Sequence, residues 1–186
     1  MVRAFEDRPV DPAIVDRLLE QALHAPSAGF SQGWAFLVLT EPADRARFWD
    51  AVFPDDRASF AHPRLFSAGC LIVPLSHKQA YLDRYAEPDK GWAERDEARW
   101  PVPYWDVDTA MASMLILLTA VDEGLGALFF GIFGAHVDAL RAAFGVPPAF
   151  SPIGAIAVGH RARDSPSPSL RRGRRGVDEV VHRGRW

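Results

Sequence analysis

The sequence predicts a single mixed domain in which helices and strands alternate, and three observations carry that prediction. The chain has 186 residues, of which 48% are hydrophobic, enough to build one substantial core. Apolar residues recur at helical spacing in several segments and form short continuous runs between them. Proline and glycine punctuate the joins between segments. Local alternation of this kind, taken alone, points to a parallel α/β sheet.

Asp11 and Pro12 read as the N-cap and first residue of a helix. Its apolar positions Ile14, Val15, Leu18, Leu19, Ala22 and Leu23 repeat with helical spacing as far as Ala25–Pro26. The segment Ala35–Leu39 predicts a buried strand, and Pro42–Val52 an amphipathic helix bearing Phe48 and Trp49. After a polar, proline-interrupted stretch, Cys70–Leu75 predicts a second strand and Ser76–Tyr85 a short helix. A long helix is expected from Asp106 or Asp108 to Glu123. It is apolar around most of its circumference, which predicts a central buried helix, and Gly124-Leu125-Gly126 supplies a Schellman-type cap. Ala127–Phe133 reads as a third strand, Val137–Phe144 as a helix ended by Gly145 and two prolines, and Ile153–Gly159 as a fourth strand.

The segment 87–104 differs from the rest, with prolines at 88, 101 and 103, aromatics at 92, 100 and 104, and many charges. Two readings stand side by side: a cover over a pocket, or a surface excursion pinned by its own tryptophans. Residues 160–186 form a basic C-terminal extension containing SLRRGRRG and HRGRW.

Composition excludes several classes. A net charge of −3 and the lack of a basic face interleaved with aromatics argue against a nucleic-acid partner. One cysteine, Cys70, excludes an internal disulfide and suits a reducing compartment; in its apolar run it reads as a small hydrophobe. The charged start MVRAFEDRP does not resemble a signal peptide, and the apolar stretch Met111–Val121 is short for a bilayer span. A cytoplasmic protein without a membrane partner is the expectation.

Among chemical motifs, no GxGxxG or Gly-Lys-Ser phosphate loop is present, and no serine sits in a nucleophile elbow. The six histidines are scattered, without metal-ligand spacing, so no metal is expected. The run Arg171, Arg172, Arg174, Arg175 reads either as a solvated basic tail or as a set of guanidinium forks for phosphate. The turn APSAGFSQGW (25–34) stands out most. Small residues between a buried helix and a buried strand let the backbone approach a flat or bulky group closely.

These pieces, in this order, resemble the FMN-dependent nitroreductase family across essentially the whole chain. The resemblance rests on Arg3-x-Phe5 followed by a Pro-Val loop, a helix ending in APSA, and S-Q-x-W before a strand. It rests also on the long helix ending in GLGA, the F-F-G-I strand end, the V-G-H end of the last strand, and an arginine-rich tail leading to DEVV. It implies an α+β sandwich, with a mostly antiparallel sheet flanked by helices, in a homodimer whose swapped tail reaches onto the partner. It overrides the parallel sheet expected from local pattern.

The resemblance also implies site residues. Arg3 and Arg64 would serve as the basic residues beside the flavin, Arg64 at the N1–C2=O edge, where a cation stabilises the charge of the reduced ring. Pro26, Ser27, Ala28 and Gln32 would form the turn that the partner subunit presents to FMN. Phe130 and Gly131 would put backbone near N5, and Arg172 and Arg174 would hold the phosphate. Phe130 stands where relatives carry a glutamate, leaving the backbone contact alone. Phe30 and Gly33 replace residues of the usual Asn-x-Gln-Pro-Trp, and Phe30, Trp100, Tyr104 and Trp105 become the candidate substrate pocket.

The family's further upstream arginine would precede Met1, so either the reading frame starts late or the tail arginines hold the phosphate alone. The implied chemistry is ping-pong hydride transfer from NADH or NADPH, through FMN, to a small electron-poor acceptor such as a nitroaromatic or quinone. No protein acid or base is required, so no catalytic side chain is nominated. The alternatives are a flavin-consuming or dehalogenating relative, and a protein that binds or sequesters flavin weakly without turnover.

Overall fold

Asp11 accepts a hydrogen bond from the Ala13 N–H at 2.9 Å and opens helix α1 (Pro12–Leu23). A computed structural model describes residues 1–54, 57, 60–165 and 167–186. Strand β1 (Trp34–Leu39) leads into α2 (Pro42–Val52) and β2 (Cys70–Ser76), then α3 (Lys78–Tyr85) and the long α4 (Tyr104–Asp122). The chain continues through β3 (Gly126–Phe130), α5 (Val137–Phe144), β4 (Ser151–Pro152), β5 (Ala155–Gly159) and a short α6 (Val177–Val180).

The sheet runs β1-β2-β5-β3, with β4 beside β2, and every pair is antiparallel. The fold is therefore α+β, as the resemblance implies, and the parallel arrangement expected from local alternation is overturned. Strand periodicity is the same whichever way a strand runs, so alternation alone carries no direction.

Side chains alternate between two cores. Leu71, Val73 and Leu75 of β2, with Ala155 and Ala157 of β5, join Phe48 and Trp49 of α2 and Leu140 of α5. On the other face, Cys70, Ile72, Ile156 and Val158 meet Val15 and Leu18 of α1 and Ala112 and Ile116 of α4. Helices thus cover both faces of the sheet. Cys70 is fully buried. Burial pushes its thiol from an ordinary 9.0 up to about 12, against a smaller opposing pull from Arg45. Iodoacetamide at pH 9 is therefore expected to leave the native protein unlabelled and to label it in urea. Because the thiolate forms in the unfolded chain first, this group's contribution to stability declines as pH rises from 9 toward 12.

Several boundaries move from their sequence-predicted positions. Helix α4 starts at Tyr104, because Pro103 supplies its N-cap geometry. Helix α3 starts at Lys78, since Ser76 stays in β2. Strand β3 stops at Phe130, where its partner β5 ends at Ala155, and Gly154 (φ 155°) separates β4 from β5. The Schellman cap forms as predicted: the Leu125 N–H reaches Ala120 O at 2.8 Å and the Gly124 N–H reaches Val121 O at 3.0 Å.

One expectation fails in an informative way. Helix α4 buries Asp108, Thr109, Ala112, Ser113, Ile116 and Ala120, while Val107, Met111, Met114, Leu118 and Val121 are 36–66% exposed. The helix has the length and hydropathy of a membrane span, yet it turns its small and polar side toward the sheet and its large apolar side outward. Small residues let it pack closely on α1 and the strands, and the bulky ones are left on the outer face.

Candidate functional site

The N-terminal segment is laid along the edge of the sheet. The Val2 N–H bonds Ala127 O (3.0 Å), Glu6 N–H bonds His160 O (2.9 Å), and Ala162 N–H bonds Ala4 O (3.0 Å). The Phe5 N–H bonds Arg64 O at 3.1 Å, so the 63–67 turn is tied to the same edge. These bonds bring Arg3 and Arg64, distant in sequence, into one cleft of about 240 Å³ that also takes in His62, Arg163 and Asp164. Asp164 accepts the Arg3 backbone N–H at 2.7 Å, and no guanidinium of Arg3, Arg64 or Arg163 is paired with a carboxylate among the described residues. Three arginines lining one cleft supply the cationic, multiply donating groups that suit an anionic hydrogen-bond acceptor. Sequence reasoning missed His62 and Arg163. The only available signal was Arg163's place just past the last strand, which is where Arg3's neighbours pair.

Phe130 turns its ring into the α2 face, stacked on Trp49 at 5.6 Å and 16° and edge-on to Phe48 at 6.3 Å. Beyond it Gly131 is exposed, and no atom stands within 4 Å of where a Cβ would be. The strand end therefore offers bare backbone outward while its aromatic side chain anchors it inward.

The turn after α1 is the most constrained segment of the chain. Gly29, Phe30 and Gln32 all have positive φ (61°, 57° and 49°). For the two non-glycine residues this costs on the order of 1–2 kcal/mol each, which a scaffold must over-determine. The scaffold here comes from α3 and α4. The Ala28 N–H donates to Asp108 Oδ2 at 2.8 Å, and Tyr81 Oη donates to the same oxygen at 2.9 Å. Arg84 Nε donates to Gly29 O at 2.9 Å, and the Gln32 N–H is held by Ser27 Oγ at 3.0 Å. Both glycines are required sterically, since a Cβ on Gly29 would lie 2.6 Å from the Tyr85 ring and one on Gly33 2.4 Å from the Tyr81 ring. Asp108 is 1% exposed and Tyr81 fully buried. Burial, reinforced by the Asp108 carboxylate, holds the Tyr81 phenol well above the usual range. Phe30, by contrast, is 74% exposed.

Trp100 meets Tyr85 at 4.6 Å, Trp92 at 5.4 Å, Tyr104 at 5.8 Å, Tyr81 at 6.0 Å and Trp105 at 6.1 Å. The 87–104 segment is thus pinned by aromatics onto α3 and the start of α4, next to the strained turn. Arg172 and Arg174 lie in the exposed extension, and Arg175 pairs with Glu179 at 3.1 Å.

The two groups of candidate residues occupy opposite corners of one chain. Ala127, which holds Val2, is level with Val158 and Cys70, whereas Trp34, which follows the turn, is level with Ser76. Three strand spacings and a six-residue offset separate them, roughly 14 Å across and 20 Å along the sheet. A polar trough of about 620 Å³ lies between α1 and α4, lined by Arg17, Glu20 and Asp122. None of the candidate residues lines it. Among the described residues no group of His, Cys, Asp and Glu is placed to hold a metal.

This α+β fold has known counterparts. The chain belongs to the Nitroreductase family, whose family model matches residues 1–160. It is 24% identical over 187 residues to an NADPH-dependent oxidoreductase of Staphylococcus aureus, covering all of this chain and 70% of that protein. Among solved structures it resembles one from Exiguobacterium sibiricum in complex with FMN (TM-score 0.75, 18% identity, 97% of this chain and 91% of that one). An FMN-dependent nitroreductase from Clostridium difficile gives a TM-score of 0.70 at 19% identity, covering 100% and 94%.

Proposed function

We propose that this protein is an FMN-dependent oxidoreductase that takes reducing equivalents from NADH or NADPH and passes them to a small electron-poor aromatic or quinone, acting as a homodimer. The observation that carries this reading is the cleft of Arg3, Arg64 and Arg163, none of them paired with a carboxylate among the described residues. The residues present fit the group. Arg3 and Arg64 would hold the pyrimidine edge of FMN, Gly131 would face the ring, and Arg172 and Arg174 of the extension would reach the phosphate. When bound, FMN supplies the two-electron chemistry. The chain supplies position, cationic charge where negative charge develops, and aromatic walls that keep water out. The Trp100, Tyr104 and Trp105 group and Phe30 form the acceptor's side of the pocket.

Two features favour a dimer. At about 240 Å³ the arginine cleft is smaller than the roughly 300–1,000 Å³ of a typical ligand pocket, which favours completion by a second chain, since the Pro26–Gln32 turn lies too far away in its own chain to add to it. The exposed stripe Val107, Met111, Met114, Leu118 and Val121 repeats every four and three residues, the spacing of a helix-pairing seam. Leu118→Glu is therefore expected to convert the dimer to monomer in light scattering and to lower FMN affinity with it. A Leu118→Glu protein that stays dimeric would remove the stripe from the interface.

The direct test is purification followed by spectroscopy. A yellow protein with an FMN spectrum that bleaches with NADH or NADPH, and recovers on adding a quinone or nitroaromatic, supports the reading. A colourless protein that shows no spectral change when titrated with FMN overturns it.

A further inference from the structure

We infer that Asp108 is a positioning residue whose buried carboxylate locks the strained Ala28–Gln32 turn, so that Phe30 and the turn's backbone stand preformed for the flavin site of the partner subunit. The inference rests on the proposed flavin function for its consequence, but not for the lock itself. Asp108 sits at the start of α4, 1% exposed, a place where a carboxylate is costly to bury. It faces no cation. Its Oδ2 accepts the Ala28 N–H and the Tyr81 hydroxyl, at 2.8 and 2.9 Å. The Tyr81 ring in turn packs against Gly33, where a Cβ would lie 2.4 Å from it. One buried oxygen atom therefore holds Ala28 directly and fixes the Tyr81 ring that packs on Gly33, while Arg84 holds Gly29 O between them.

Nothing in the folding of α4 calls for that carboxylate. The helix has Pro103 at its N-cap and buries Thr109, Ser113 and Ala112 beside it, and those two hydroxyls bond within the helix, to Trp105 O and Thr109 O. Asp108 is the buried polar group of α4 that instead reaches out of the helix to a segment 80 residues away. The segment it reaches carries Phe30, 74% exposed with φ 57°. A bulky side chain kept outside the protein on a left-handed backbone is a costly arrangement unless something covers it. Locking the turn in advance removes the ordering cost that a mobile turn would impose on binding.

Three variants test this: Asp108→Leu, which keeps bulk but removes the acceptor; Asp108→Asn, which keeps an acceptor oxygen; and Tyr81→Phe, which removes one hydroxyl. Hydrogen exchange on the flavin-free protein reads the lock directly. In Asp108→Leu the amides of 28–33 are expected to exchange about tenfold faster or more, with α4 protection unchanged beyond its first turn. The dissociation constant for FMN is expected to rise about tenfold. Asp108→Asn should stay within about threefold of wild type in both measurements, and Tyr81→Phe should move both in the same direction as Asp108→Leu by about threefold.

Wild-type protection of 28–33 in Asp108→Leu overturns the lock. A loosened turn with unchanged FMN affinity overturns the positioning role. Should Asp108→Leu not fold, Tyr81→Phe decides by the same two readings. A wild type that takes up no FMN overturns the proposed function alone, and the exchange comparison still decides the lock.

Discussion

Replacing Arg3 and Arg64 together by alanine is expected to weaken FMN binding by two orders of magnitude or more, with little change in the thermal midpoint. The two residues line one cleft from different segments, joined through the Phe5–Arg64 backbone bond. Neither guanidinium has a carboxylate partner among the described residues, so neither supports the fold through an ion pair. A hydrogen bond to a charged group contributes about 1.5–3 kcal/mol. Two lost together come to about 3–6 kcal/mol, or 10²–10⁴ in affinity. Each single variant should lose about one order of magnitude or somewhat more. Arg47→Ala on α2, whose guanidinium lies over the Phe144 ring at 5.7 Å, is the matched control and should leave affinity unchanged. Flavin fluorescence titration checks all four proteins. A double variant that binds FMN like wild type removes the cleft from the cofactor site.

Trp49→Ala is expected to be the most damaging single change to the fold. Its ring is 2% exposed and is packed against Phe48 at 5.0 Å, Phe66 at 4.9 Å, Phe130 at 5.6 Å and Phe53 at 5.8 Å. Truncating a buried tryptophan costs about 3–5 kcal/mol, which for a chain of this size lowers the thermal midpoint by roughly 6–20 °C. The indole N–H is buried without a partner among the described residues. Trp49→Phe therefore relieves an unsatisfied donor as it loses volume, and it should cost far less than the alanine variant. Calorimetry of the two variants separates packing from hydrogen bonding. Equal losses would show that the indole nitrogen has a partner in solution. Because Phe130 stacks on Trp49, the alanine variant should also loosen the Gly131 strand end.

The local features of the chain were legible in the sequence for local reasons. Asp11-Pro12 and Gly124-Leu125-Gly126 specify caps whose hydrogen bonds close within a few residues, and both form as read. The turn 25–34 announced itself through its small residues between apolar runs. The outward face of α4 was not legible, because an all-round apolar pattern has no moment to say which side is buried. Alanine, serine and aspartate face the sheet because close packing favours small side chains there, and the methionines and leucine are left outside. Arg163 and His62 could not be matched to Arg3 by spacing, since the cleft exists only once 2–6 pairs with 160–162.

By itself, the sequence determined roughly where helices and strands form, how two of their ends are capped, and a resemblance that names the family and its mostly antiparallel sheet. All of these rest on interactions between near neighbours or on periodicity along one segment. Only the tertiary structure decided the strand order β1-β2-β5-β3, that α4 keeps its bulky face outward, that three arginines share one cleft, and that Asp108 reaches Ala28. Those facts depend on which segments meet across long stretches of chain. Hydrogen-bond partners and burial are chosen there by the whole packing, and no local pattern encodes the choice.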